Sequence, residues 1–121
     1  MSQLMINEKT YTQFKRFAEQ KKSSVELLAE AVIRDYIRRE KREIMRQEIA
    51  AYNAMHTKLV ADFLGQYVAI HQGTLIDHDQ DELTLYFRIN EKYPDIPILL
   101  RQVTNETEET ITIRSPRFEN V

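Results

Sequence analysis

Cysteine and tryptophan are missing from these 121 residues, and glycine and proline are scarce, at two and three. Without thiolates there is neither a disulfide scaffold nor a zinc-thiolate site. No apolar run approaches the ~18 residues that span a bilayer, and Met1 to Asn7 lacks the charged-then-apolar layout of a signal peptide, so a cytoplasmic protein with no membrane partner is expected. Glycine-rich phosphate loops, the Gly-x-Ser-x-Gly elbow and the His-Glu-x-x-His helix are also absent, which points to a non-enzyme without a cofactor. The length suits one domain, or two very small ones sharing a core. A lobe of about 60 residues buries only about 60% of its unfolded surface, so oligomerisation is expected.

The formal charge of −2 conceals an asymmetry. Residues 1–46 carry eleven Lys or Arg against seven Asp or Glu, a net of +4, whereas residues 47–121 carry six against twelve, a net of −6. Nucleic-acid binding therefore belongs, if anywhere, to the basic first part.

Residues 2–6 alternate weakly, with Leu4 and Ile6 on one side and Gln3 and Met5 on the other, and predict a short strand. Asn7 is placed to cap a helix whose apolar stripe is Tyr11, Phe14, Phe17 and Ala18. Lys21, Lys22 and Ser23 break that pattern. Ser23 and Glu26 form a capping box before the periodic run Val25, Leu28, Val32 and Tyr36. Six consecutive charges, Arg38 to Glu43, precede a resumed spacing through Met45, Ile49, Tyr52, Met55, Leu59 and Phe63. Neither Gly nor Pro intervenes, so one helix is expected over 24–64.

From Gly65 the pattern turns to β. Residues 66–71 and 74–78 flank Gln72-Gly73 as a hairpin. Asp79 and Glu82 are placed to cap a helix with Leu85, Tyr86, Ile89 and Tyr93 on one face, ended by Pro94 and Pro97. Residues 98–103 and 110–114 predict two more strands. The fold class is α+β: a strand and two helices, continuing through a long helix into a small β-β-α-β-β unit. The expected division is 1–45, a helical connector over 46–64, and 65–121.

Three clusters carry candidate chemistry. Asp77, Asp79 and Asp81 stand at the first, third and fifth places of a calcium loop, but Glu82 replaces its glycine and Arg88 its terminal acid. These acids read as turn and cap residues; a transition-metal site from His71, His78, Asp77 and Asp79 is the weaker alternative. His56 lies on the helical seam between Tyr52 and Leu59, where a packing role with a satisfied ring nitrogen is expected. Lys15, Arg16, Lys21 and Lys22 gather around the turn beside the amides of Ser24 and Val25, which is either a phosphate contact or an ordinary solvated turn.

The order strand, helix, short polar turn, helix resembles the ribbon-helix-helix family of the Arc, MetJ and CopG repressors and many antitoxins. The residues that carry the likeness are Phe14-Lys15-Arg16-Phe17-Ala18-Glu19 and Ser23-Ser24-Val25-Glu26-Leu27-Leu28-Ala29-Glu30-Ala31-Val32. The resemblance implies a homodimer whose paired strands enter the major groove of double-stranded DNA while the second helices present their N-termini to phosphate. Met1, Gln3 and Met5 would then face the bases, Leu4, Ile6, Phe14, Phe17, Leu28 and Val32 would form the dimer core, and Lys15, Arg16, Lys21, Lys22, Ser24 and Val25 would meet phosphates. The chain departs from the family in offering only Gln3 as a bidentate base reader and in placing Lys22 or its neighbour where the family has a turn glycine.

The segment from Phe63-Leu64-Gly65-Gln66-Tyr67-Val68-Ala69-Ile70-His71-Gln72-Gly73 through Asp77-His78-Asp79 to Arg114-Ser115-Pro116-Arg117 resembles a small bacterial domain family of unassigned function, which implies no activity. The functional expectation is a dimeric DNA-binding transcriptional regulator or antitoxin-like repressor, whose acidic C-terminal part senses a ligand or captures a partner protein. The alternative is an interaction or assembly module that uses the ribbon only to dimerise.

Overall fold

The computed structural model describes residues 4–107 and places four helices and a three-stranded antiparallel sheet. In chain order these are α1 (Glu8–Gln20), α2 (Val25–Ala54), α3 (His56–Phe63), β1 (Tyr67–His71), β2 (Thr74–Asp79), α4 (Glu82–Lys92) and β3 (Leu99–Gln102). The chain divides into two units, Met1–Glu40 and Lys41–Val121. No helix among the described residues is long and apolar enough to cross a membrane. The strand expected over 110–114 lies outside the described residues, as do Met1, Ser2 and Gln3.

In the first unit, Asn7 caps α1 as expected: its Oδ1 accepts the amides of Lys9 at 2.8 Å and Thr10 at 3.3 Å. The helix ends in a Schellman turn, in which the Ser23 amide donates to the Ala18 carbonyl and the Lys22 amide to that of Glu19. Lys22 takes the left-handed position of this turn, at φ 56°. Because Ser23 is engaged in closing α1, the cap of α2 falls one residue later than the capping box predicts. Ser24 Oγ accepts the Leu27 amide at 3.0 Å. Leu4 to Asn7 have no regular structure in the single chain, where the sequence pattern predicts a strand. A strand needs partner amides and carbonyls, and no strand belongs to this unit among the described residues.

The charged stretch 38–43 is uninterrupted helix, laced by exposed pairs one turn apart such as Arg39–Asp35 and Arg46–Glu43. Each such pair contributes only about 0.3–0.5 kcal/mol. The single helix expected over 24–64 is instead interrupted at Met55, whose backbone sits at φ −102°, ψ 12° between α2 and α3. Neither Gly nor Pro causes the break. Two side chains flank it and reach the same strand end: Tyr52 donates its hydroxyl to the Gln102 carbonyl at 3.2 Å, and His56 Nε2 lies 2.7 Å from the Thr104 carbonyl. His56 is therefore the seam residue with a satisfied ring nitrogen that its spacing predicts.

The second unit is a sheet of order β2-β1-β3 with a separate core on each face. Val68 and Ile70 of β1, with Leu99 and Val103, pack against Tyr52 and Leu59. Ala69 meets Leu85 and Ile89 of α4 on the opposite face. The β1–β2 hairpin closes at Gln72-Gly73, both at positive φ (52° and 74°), the conformation a two-residue hairpin loop requires. A bulge between Ala69 and Ile70 in the register leaves Ile76 unpaired: Ala69 faces Asp77, whereas Ile70 faces Leu75. Two residues then oppose one, which puts Ile76 and Asp77 both toward α4.

Lysine at the left-handed turn position is strained by about 1–2 kcal/mol relative to glycine. Lys22→Gly is accordingly expected to raise stability by about 1 kcal/mol, read as a higher urea midpoint with unchanged m-value. An unchanged or lower midpoint would contradict the strain.

Candidate functional site

The basic turn of the first unit is built by the Schellman closure. It sets Lys21 and Lys22 one residue short of Ser24 and Val25, the cap and first residue of α2. Lys15 and Arg16 lie on α1 and are exposed, as are Lys21, Lys22 and Ser24. Beside them an apolar groove runs through this unit, lined by Leu4, Ile6, Phe14 and Val32 of the expected dimer core. Tyr11, Val25, Ala29 and Ile33 extend it. Phe17 and Leu28 do not line the groove; Phe17 is exposed and Leu28 half-buried. Met5 is 91% exposed and also absent from the groove wall, consistent with alternation along residues 4–6. Met1 and Gln3 lie outside the described residues.

In the second unit the acid cluster serves an arginine. Arg88, on α4, donates to Asp77 through Nε at 2.8 Å and Nη2 at 3.0 Å, to Asp79 through Nη1 at 3.2 Å, and to the His78 carbonyl at 3.1 Å. The bulge at Ile76 makes this possible by turning Asp77 to the helical face. Arg88's hydrogen bond is the main cause holding the Asp77 carboxyl below its ordinary range. For Asp79 the Asp81 amide is the larger cause, with Arg88 adding to it. Asp81 is the N-cap of α4, accepting the Thr84 hydroxyl at 2.7 Å and the Thr84 amide at 2.9 Å, and both lower its pKa. The cap is thus Asp81, where the sequence pattern names Asp79 and Glu82.

His71 and His78 are not brought together. His71 contacts Tyr93 on the α4 face, with ring centroids 5.9 Å apart, and His78 contacts Phe63 on the other, at 4.4 Å. No group of three His, Asp or Glu residues placed to hold a metal occurs among the described residues.

Two functional groupings escape the sequence patterns. One is the Arg88 fork, since the sequence marks Arg88 only as a misfit in a calcium loop. The other is Glu48 of α2, 3% exposed, whose carboxylate accepts the Gln72 amide at 2.6 Å and the Gly73 amide at 2.9 Å. Its signal is positional. Glu48 stands four residues before Tyr52 and three after Met45, in phase with the buried seam. A cavity lies beside it, walled by Ile44, Gln47, His71 and Pro97.

Residues 58–103 match a family of unknown function, DUF5678. The match runs from α3 through the hairpin and α4 to the end of β3, and it agrees with the expected resemblance of the second half to a domain of unassigned function. No curated protein and no solved structure matches the chain.

Glu48→Ala is expected to lower stability by about 2–4 kcal/mol, because it removes two charge-assisted hydrogen bonds and leaves turn amides without their acceptor. Denaturant titration checks this, and a loss under about 0.5 kcal/mol, the range of ordinary surface changes, would deny Glu48 its role as a clamp.

Acidification tests the Arg88 fork. The carboxyls of Asp77 and Asp79 titrate lower in the folded chain than unfolded, so their contribution is present above the unfolded pKa of about 4 and is lost as pH falls through the folded values. Wild type should lose more of its urea midpoint than Arg88→Met between about pH 5 and about pH 2.5. Parallel losses in the two proteins would contradict the coupling.

Proposed function

We propose that the protein is a homodimeric DNA-binding regulator of ribbon-helix-helix type, whose first unit pairs with a second copy and engages operator DNA. The observation that carries this reading is the groove between α1, α2 and the Leu4–Ile6 arm. It leaves Val32 47% exposed and Ile6 49% exposed in a single chain, the apolar surface that a second arm and helix pair would cover. Lys15, Arg16, Lys21 and Lys22, with the first amides of α2, supply the phosphate contacts in this reading, and the helix N-terminus favours their anionic partner. Gln3 reads a base, flanked by Met1 and Met5. The acidic second unit takes the role of sensor or partner-capturing part, which in an antitoxin would mask a toxin.

One observation favours a second reading. Met5 presents a nearly fully exposed apolar side chain on the arm, at a position that base contact would require to be polar. An assembly module would use the arm for dimerisation alone.

With one bidentate reader per chain, direct readout is small, about 1–3 kcal/mol per good pair, and phosphate contacts lead. Gel shifts with the gene's own upstream DNA should show log affinity falling with log salt at a slope near −0.9 per phosphate neutralised. Lys21→Glu combined with Lys22→Glu is expected to weaken all sequences alike, while Gln3→Ala relaxes preference at one base position. Absence of any retarded DNA at low salt would remove the regulator in favour of the assembly module.

A further inference from the structure

Glu48 is the most deeply buried charged side chain among the described residues, and no ion pair found among them includes it. Its two oxygens each accept one backbone amide of the hairpin turn. A carboxylate oxygen has room for two hydrogen bonds, so each keeps capacity for another donor. A buried negative charge without a cation is also costly in a low-dielectric setting. The adjoining cavity, about 460 Å³, brings further polar groups to the same place. His71 Nδ1 is buried with no hydrogen-bond partner among the described residues. Gln47 donates its side-chain nitrogen to Glu43 at 3.4 Å, which leaves its amide oxygen as the acceptor end. Ile44 and Pro97 complete the wall with apolar surface.

We propose that this cavity binds a small organic cation, an alkylamine or alkylguanidine with several N–H donors on a short apolar chain. The charge compensates Glu48, the multiple donors match its spare lone pairs and the Gln47 amide oxygen, and the alkyl part lies along Ile44 and Pro97. An anion would be repelled by Glu48, and a neutral apolar molecule would leave the spare lone pairs of the carboxylate without a donor. A metal ion lacks the three ligating groups it needs, since no such cluster occurs among the described residues. The site lies wholly within the second unit and stands whether or not the first unit binds DNA.

The probe is agmatine, titrated into the ¹⁵N-labelled full chain at low ionic strength and followed by amide shifts. Saturable shifts of the Gln72 and Gly73 amides, which report directly on Glu48, are expected, with no comparable change for the uncharged 1-pentanol. Ile44→Trp, which fills the cavity from its apolar side, should weaken agmatine binding by about tenfold or more. Gln47→Leu gives the same direction of change should the larger side chain disturb folding. Lack of saturable shifts up to about 10 mM agmatine, an equal response to 1-pentanol, or undiminished binding in the folded variants would overturn the proposal.

Discussion

Everything proposed for the first unit depends on a shortage of interior. Among its described residues Ala18 alone is buried, although Leu4, Ile6, Tyr11, Phe17, Val32, Ile33 and Tyr36 are all large and apolar. Scattered apolar side chains on a surface need no explanation, but here Leu4, Ile6, Tyr11, Val32 and Ile33 line one groove. Two helices of good periodicity cannot bury their stripes on each other when each stripe is wider than the contact between them. Caps, the Schellman turn and the ion pairs on α2 contribute about a kilocalorie each or less, which shapes the elements without supplying a core.

The second unit solves the same problem internally. Its sheet carries alternating faces, and α4 covers one while Tyr52 and Leu59 cover the other. Polar clamps then fix what apolar packing leaves loose. Glu48 ties the hairpin turn to α2, Arg88 ties the bulged strand to α4, and Tyr52 and His56 tie the break at Met55 to the end of β3. Hydrogen bonds to charged groups are worth more than neutral ones and demand defined geometry, so they select register as well as adding stability. The region matching the family of unknown function includes the whole sheet and α4 but begins after Glu48.

Much of this was legible in the order of residues. Asn7 as a cap, the hairpin at Gln72-Gly73, the buried Leu85 and Ile89 face of α4 and the seam position of His56 all follow from local rules that act within a few residues. The misplacements share one cause. Ser23 was the better cap by motif but is consumed by the turn that ends α1, and the Met55 break is flanked by contacts 48 and 50 residues away in sequence, which no local pattern reports. The bulge at Ile76, which decides that Asp77 meets Arg88, has no glycine to announce it. Glu48 was visible only as a charge in an apolar phase, and the hairpin turn that needs it lies 24 residues on. Candidate site residues of the first unit were nameable because an exposed basic turn and an amphipathic stripe are local features. What they bind is a property of a second molecule and leaves no local trace.

The measurement that bears most directly on this account is sedimentation equilibrium of the full chain at micromolar concentration, alongside far-ultraviolet circular dichroism. If the groove of the first unit is half of a shared core, the protein sediments as a dimer, and Val32→Asp, which puts a charge into that core, yields a monomer with reduced helicity. A wild-type chain that sediments as a monomer with its full helical signal, stable to dilution, would contradict the claim that this unit is completed by a second copy.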